Sequence, residues 1–204
     1  MWLAHPPRIV KDVHPSMYWE IPTQKREVFI TFDDGPTPII TDKVLDLLQK
    51  YQAKATFFCL GKNVAQAPDL FKRIKRGNHT IGNHTFNHIN GWKANSEDYF
   101  REVKLTEEIF TSKLFRPPYG RMRPKQIKTI SKDYSIIMWS HLSLDYDKKY
   151  SKEECLNLSI KDLKKGSIIV FHDSQKAKDR MLFALEGFLQ YCQEKKWKCS
   201  AIQL

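Results

Sequence analysis

The sequence predicts an α/β fold built on a parallel sheet or barrel, and three observations carry that expectation. Short apolar runs alternate with amphipathic segments of helical length along most of the 204 residues, the pattern of repeated βα units. The runs are rich in β-branched and aromatic residues and barely alternate with polar ones, as strands buried on both faces do. Unusual polar residues follow several of these runs directly, where parallel α/β folds gather their active sites.

The expected strands are Val28–Phe32, Ala55–Leu60, Ser135–Trp139 and Ser167–Phe171, with a weaker one near Lys198–Ile202. Helices are expected between them. Thr41–Lys50 places Val44, Leu45, Leu47 and Leu48 on one side, and Pro68–Arg76 opens with Pro and Asp and stops at Gly77, matching helix start and stop signals. Ser96–Lys113 is long and amphipathic. Ser151–Lys165 opens with Ser151 and Glu154 at capping-box spacing and stops at Gly166. Arg180–Lys195 carries Leu182, Phe183, Leu185, Leu189 and Tyr191. Residues 1–27, with four prolines and Trp2, Tyr18 and Trp19, read as an irregular arm packed on the main body.

Composition narrows the function. Hydrophobic residues at 41% and charged ones at 28% describe a globular chain, and its length suits one domain able to bury a core without disulfides or a structural metal. No apolar run approaches the ~18 residues of a membrane helix. The N-terminus shows no export pattern, which favours a cytoplasmic location over the envelope. Four scattered cysteines (Cys59, Cys155, Cys192, Cys199) form no C-x-x-C pair and fit a reducing compartment. The net charge of +11 invites a nucleic-acid reading, but the lysines are spread along the chain and interleaved with acids rather than gathered with stacking aromatics. Nucleic acid is therefore not expected as a partner. A monomer is the favoured state.

Four constellations carry chemistry. Thr31-Phe32-Asp33-Asp34-Gly35-Pro36 closes a strand with two adjacent carboxylates; one could bind a metal while the other acts as a base, although a bare Asp-Asp-Gly is usually a solvated turn. His84-Thr85-Phe86-Asn87-His88 places two imidazoles four apart, on one face if the segment is helical, which suits chelation of a divalent metal; taken alone the pair is as easily two structural histidines. His79 falls off that face and is assigned a structural role. Phe115-Arg116-Pro117-Pro118-Tyr119-Gly120 combines a carboxylate-holding Arg with a loop stiffened by two prolines, leaving the Tyr119 N–H to point at a ligand. Ser167–Asp173 is a strand ending in His172, a credible proton donor if an acid such as Asp145 holds its second nitrogen.

In this order the acid pair, the His pair, Arg-Pro-Pro-Tyr-Gly, Trp139…Asp145 and the strand-ending His172 resemble the polysaccharide deacetylase family, also called NodB-homology domains or carbohydrate esterase family four. The match covers Val28 to about Leu204. The resemblance implies a distorted, often incomplete (β/α) barrel, with residues 28–204 as the catalytic domain. It implies Asp33 as general base, His172 as general acid tuned by Asp145, and Arg116 steadying Asp33. Asp34, His84 and His88 would hold a divalent metal, zinc first, with Co, Ni, Mn or Fe as alternatives. The Tyr119 N–H would bind the oxyanion, and Trp139, Val170 and Pro117 would line the substrate pocket. The implied partner is an acetylated glycan or amino sugar, from which an N-acetyl group is removed. Three departures stand out: His141-Leu142-Ser143 lacks an acid common in relatives, Tyr146 replaces a common Trp, and Val170 a usual Leu.

Other readings stay open on the residues alone. Two His and one carboxylate also describe the facial triad of non-haem iron oxygenases, which have no need of the Arg loop or the strand-ending His. A non-catalytic glycan-binding module should have lost one of the five acid and histidine positions. A hydrolase of a small non-polymeric amide or of an O-acetylated glycan would carry the same motifs.

Overall fold

The apolar run around Val28 becomes the central strand. The structure, a computed structural model, describes residues 4–7 and 15–204. In it β2 (Glu27–Asp33) is buried along its whole length and runs parallel to β3 (Thr56–Cys59) on one side and β8 (Ile168–His172) on the other. Beyond β3 the sheet continues through β4 (Thr80–Asn83), β5 (Leu114–Phe115) and β6 (Ser135–Ile137) to β1 (Met17–Tyr18). Beyond β8 it ends at β7 (His141–Leu142), while β9 (Lys198–Ser200) pairs with the start of β2. Every ladder among the described residues is parallel. The path β1-β6-β5-β4-β3-β2-β8-β7 leaves β1 and β7 as opposite ends with no ladder joining them among the described residues. The sheet is thus a curled, open barrel.

Among the described residues seven helices cover its outside: α1 (Ile40–Lys50), α2 (Gly61–Gln66), α3 (Pro68–Arg76), α4 (Ser96–Glu107), α5 (Pro124–Ile130), α6 (Lys152–Ile160) and α7 (Lys178–Glu194). Successive strand residues point to opposite faces, and both faces are apolar. Val28, Ile30 and Phe32 pack outward with Val44, Leu48, Leu185 and Phe188. Phe29, Ile168 and Val170 pack inward with Trp19, Trp139 and Leu142. Each such side chain contributes about 1.5–3 kcal/mol on burial, so two-sided burial of β2 and β8 holds the centre rigid where Asp33 and His172 end their strands.

The boundaries depart from expectation in physical ways. Helix α4 stops at Glu107, not Lys113, because the chain turns to seat Phe110 on Phe71 at 5.1 Å and Ser112 Oγ accepts the Leu114 N–H where β5 begins. Helix α6 keeps its Ser151–Glu154 capping box but ends at Ile160. The expected arm is not wholly irregular: Met17–Tyr18 joins β6 and Glu20 bridges Ser167. Trp2 lies outside the described residues. No described helix is long and apolar enough to cross a membrane.

Candidate active site

The C-terminal ends of β2 and β8 and the loops following β4 and β5 meet around a cavity of about 330 Å³. Asp33 and His172 are register partners on adjacent strands, and both line it, with Asp34, His84, His88, Tyr119 and Trp139.

Asp33 is held by Arg116. The guanidinium is fully buried and donates through Nη1 to Asp33 Oδ1 at 2.7 Å and to Thr31 Oγ1 at 2.7 Å, through Nε to the Ile137 carbonyl at 3.1 Å and through Nη2 to the Met138 carbonyl at 2.9 Å. Its back lies over the Phe58 ring at 4.1 Å. The fork is thus fixed by two strand carbonyls before it reaches the carboxylate. Burial would raise the Asp33 pKa, but Arg116, with His84 and His172, holds it below the ordinary carboxylate value.

His172 is held by Asp145, itself fully buried. Asp145 Oδ1 accepts from His172 Nδ1 at 2.7 Å, and Oδ2 accepts the His172 backbone N–H at 2.9 Å. Burial opposes a charged imidazole here, yet the adjacent carboxylate outweighs it and raises the pKa to about 9. The ring also meets the edge of Tyr146 at 4.8 Å. The site therefore pairs an acid kept ionised with a histidine kept protonated.

Asp34, His84 and His88 form a third group, whose potential ligand atoms lie within 4.8 Å of one another. Asp34 Oδ1 sits 3.2 Å from His88 Nε2 and 3.8 Å from His84 Nε2. The His84–His88 segment is a loop, not the helix that would put both rings on one face. Positive φ at Thr85 (66°) and His88 (61°) turns the chain, and Thr85 Oγ1 accepts the His88 N–H at 3.1 Å. His84 Nδ1 donates to the Arg116 carbonyl at 2.7 Å, which fixes the tautomer with Nε2 as a free acceptor. Burial lowers the His88 pKa to about 4, keeping it neutral. Asp34 Oδ1 is buried and accepts no hydrogen bond. Two imidazoles and an unsatisfied buried carboxylate oxygen converging on one point fit a divalent metal with open positions.

Tyr119 is the middle residue of a 3-10 turn (Pro118–Gly120) and has φ 59°, and its ring tilts over His88 at 4.6 Å. Val170 and Pro117 are not among the residues that line the cavity. Val170 is completely buried one layer below His172, and its register partner Leu142 takes the wall position. His79 Nδ1 accepts the Ala55 N–H at 3.2 Å, away from the site.

Leu142, Tyr146, Ser174 and Lys176 complete the cavity wall; Tyr146 belongs to the Trp139…Asp145 motif, whereas Leu142, Ser174 and Lys176 carry no signal in the sequence that marks them as wall residues. Thr31, a hydroxyl in an otherwise apolar run, donates to the Ile169 carbonyl at 2.8 Å. Asp173 is buried behind the Asp33–Pro36 turn, where it accepts from Thr41 Oγ1 and its own N–H donates to the Asp33 carbonyl. A Cβ at position 35 would stand 2.1 Å from its Oδ2, so any larger residue there would force the buried Asp173 carboxyl to move.

A curled parallel α/β half-barrel with a carboxylate–Arg pair, a carboxylate–His pair and an Asp/His/His cluster at its strand ends narrows the class sharply, and comparison with known proteins gives it a family. The polysaccharide deacetylase family profile matches residues 20–138. The chain is 36% identical to a peptidoglycan-N-acetylglucosamine deacetylase of Bacillus cereus across 88% of both chains. It is 27% identical to a chitooligosaccharide deacetylase of Azorhizobium caulinodans across 82% of this chain and 83% of that one. The crystal structure of a peptidoglycan N-acetylglucosamine deacetylase in complex with 4-naphthalen-1-yl-N-oxidanyl-benzamide superposes with a TM-score of 0.85 at 32% identity, over 92% of each chain. The chain belongs to the polysaccharide deacetylase family. It is a hydrolase of carbon–nitrogen bonds other than peptide bonds, an N-deacetylase of glycans.

Proposed function

We propose that the protein removes the acetyl group from N-acetylglucosamine residues of a glycan of the peptidoglycan or chitin type, with a metal held by Asp34, His84 and His88. The observation that carries this reading is the pairing of Asp33 and His172 across adjacent strands, each set in the protonation state its task requires by its own buried partner.

Amide hydrolysis requires an activated water, charge stabilisation on the acyl oxygen and a proton for a poor leaving group. Asp33 takes the proton of the attacking water; Arg116 keeps it ionised and aimed into the cavity. As water adds to the acetyl carbonyl, negative charge grows on its oxygen and the Tyr119 N–H meets it, worth about 10²–10³-fold if it behaves as other oxyanion donors do. His172, with Nδ1 committed to Asp145, delivers its Nε2 proton to the amide nitrogen as the C–N bond breaks. Acetate and the free amine leave. Separate base and acid each contribute typically ~10²–10⁴-fold. A divalent metal, most simply zinc, would supply Lewis-acid activation of the carbonyl and of the attacking water. Trp139 and Leu142 give the acetyl methyl group an apolar wall.

The test separates chemistry from metal binding. Zinc titrated into metal-free protein binds at one equivalent by calorimetry, and Asp34→Ala and His84→Ala abolish that binding. Asp33→Asn keeps the stoichiometry while acetate release from N-acetylglucosamine oligomers falls at least 100-fold. Near-normal turnover in Asp33→Asn would remove it as the base.

A further inference from the structure

The cavity, at about 330 Å³, lies at the small end of ligand sites, which span about 300–1,000 Å³. It holds one sugar, so neighbouring sugars of a glycan chain must rest on the rim. Among the described residues, Trp92 (55% exposed) and Tyr119 (47%) are two large side chains left open to solvent, and they stand on two loops that cross and that each carry cavity residues. Trp92 follows the cavity residue His88 by four positions, and Arg121 follows the cavity residue Gly120.

The crossing is tight. A Cβ on Gly91 would lie 2.4 Å from the Arg121 carbonyl oxygen, and Gln126 Nε2 from α5 donates to the Gly91 carbonyl at 3.0 Å. Trp92 is held at its backbone and at its ring. Its N–H donates to Asn90 Oδ1 at 3.0 Å, its carbonyl accepts from Arg123 Nη2 at 2.7 Å, and its indole Nε1 donates to the Met122 carbonyl at 3.1 Å. The Arg121 guanidinium lies 4.7 Å from the ring centre. A scattered exposed apolar residue needs no explanation. An indole held at one orientation on a loop that also carries His88, with a guanidinium against it, has already given up the rotamer freedom that binding would otherwise cost.

We infer that Trp92, with Arg121, is the subsite for the pyranose flanking the sugar that loses its acetyl group. Resting on the glycan reading above, it makes the substrate an oligomer rather than a single amino sugar. A pyranose offers an apolar C–H face to stack on the indole and a hydroxyl edge to meet guanidinium N–H groups.

The experiment compares kcat/KM for acetate release from N-acetylglucosamine itself, which has no flanking sugar, and from its β-1,4-linked hexamer in the zinc-loaded protein. The wild type prefers the hexamer, and Trp92→Ala lowers the hexamer-to-monomer ratio about 3- to 10-fold. Trp92→Phe, which keeps an aromatic face, retains most of the ratio; Trp92→Leu, which keeps bulk alone, does not. An unchanged ratio, or an equal loss at both lengths, overturns the subsite. If the wild type releases no acetate from the hexamer, the functional reading fails, and calorimetric binding of the hexamer judges the subsite alone: weaker binding by Trp92→Ala upholds it and equal binding overturns it.

Discussion

Replacing Asp145 with Asn removes the charge that sets the protonation of His172 while leaving a side chain of the same shape. In the native site the His172 pKa is about 9 despite partial burial, because Asp145 contacts both Nδ1 and the backbone N–H. Without that charge the burial remains, so the pKa drops to or below the ordinary value of about 6.5. At pH 8 a group of pKa 9 is ~90% protonated and one of pKa 6.5 is ~3% protonated. At a variant pKa of 6.5 the acid form thus falls about 30-fold at pH 8 and less than about twofold at pH 6, and a lower pKa enlarges both losses. The assay is a pH profile of kcat/KM for acetate release from an N-acetylglucosamine oligomer, in zinc-loaded wild type and Asp145→Asn. The alkaline limb moves from near pH 9 to near or below pH 6.5, and the two enzymes converge in acid. A uniform loss across pH, with the limb unmoved, would refute the assignment of His172 as the proton donor tuned by Asp145.

Two further outcomes follow from buried charges. Arg116→Met leaves Asp33 as a buried carboxylate with no partner and strips two strand carbonyls of their donor; it lowers the unfolding free energy by about 3–5 kcal/mol in urea titration, and adding Asp33→Asn restores part of that loss. Asp173 is pushed up to about 7, by burial first and by the neighbouring acids. Its folded pKa therefore exceeds its unfolded one, the native state binds more protons between about pH 4 and 7, and its contribution to stability falls as pH rises through that window. Asp173→Asn removes this dependence, so in metal-free protein the variant gains on the wild type by a few kcal/mol between pH 4 and pH 8; a difference in unfolding free energy that does not vary with pH would contradict the account.

How much of this was legible in the sequence depended on whether a signal was local. The central strands β2, β3 and β8 declare themselves because burial on both faces leaves unbroken runs such as Ile168–Phe171. Helix α3 declares both its ends through Pro68 and Gly77. The two-residue strands β1, β5 and β7 have no such pattern, since their pairing is decided by the register of distant partners, as Leu142 is by Val170. The His84–His88 loop was legible as chemistry and not as conformation: nothing in Thr85 or His88 announces a left-handed backbone, which is imposed by the Asn83 and Thr85 side-chain hydrogen bonds. The motif residues that meet in the cavity were found by type and order. Leu142, Ser174 and Lys176 were not, because a cavity wall is a property of how loops close and leaves no spacing to detect. Val170 was misplaced by one layer for the same reason.

The central claim is that Asp34, His84 and His88 hold a metal that the glycan N-deacetylation needs. The most direct measurement is acetate released from N-acetylglucosamine oligomers and peptidoglycan fragments, with O-acetylated xylan alongside, first with zinc and then with a chelator. The account predicts release from the N-acetylated glycans that stops with chelator and returns when zinc is restored. Release untouched by chelator, or no acetate from any N-acetylated glycan with zinc present, would contradict it.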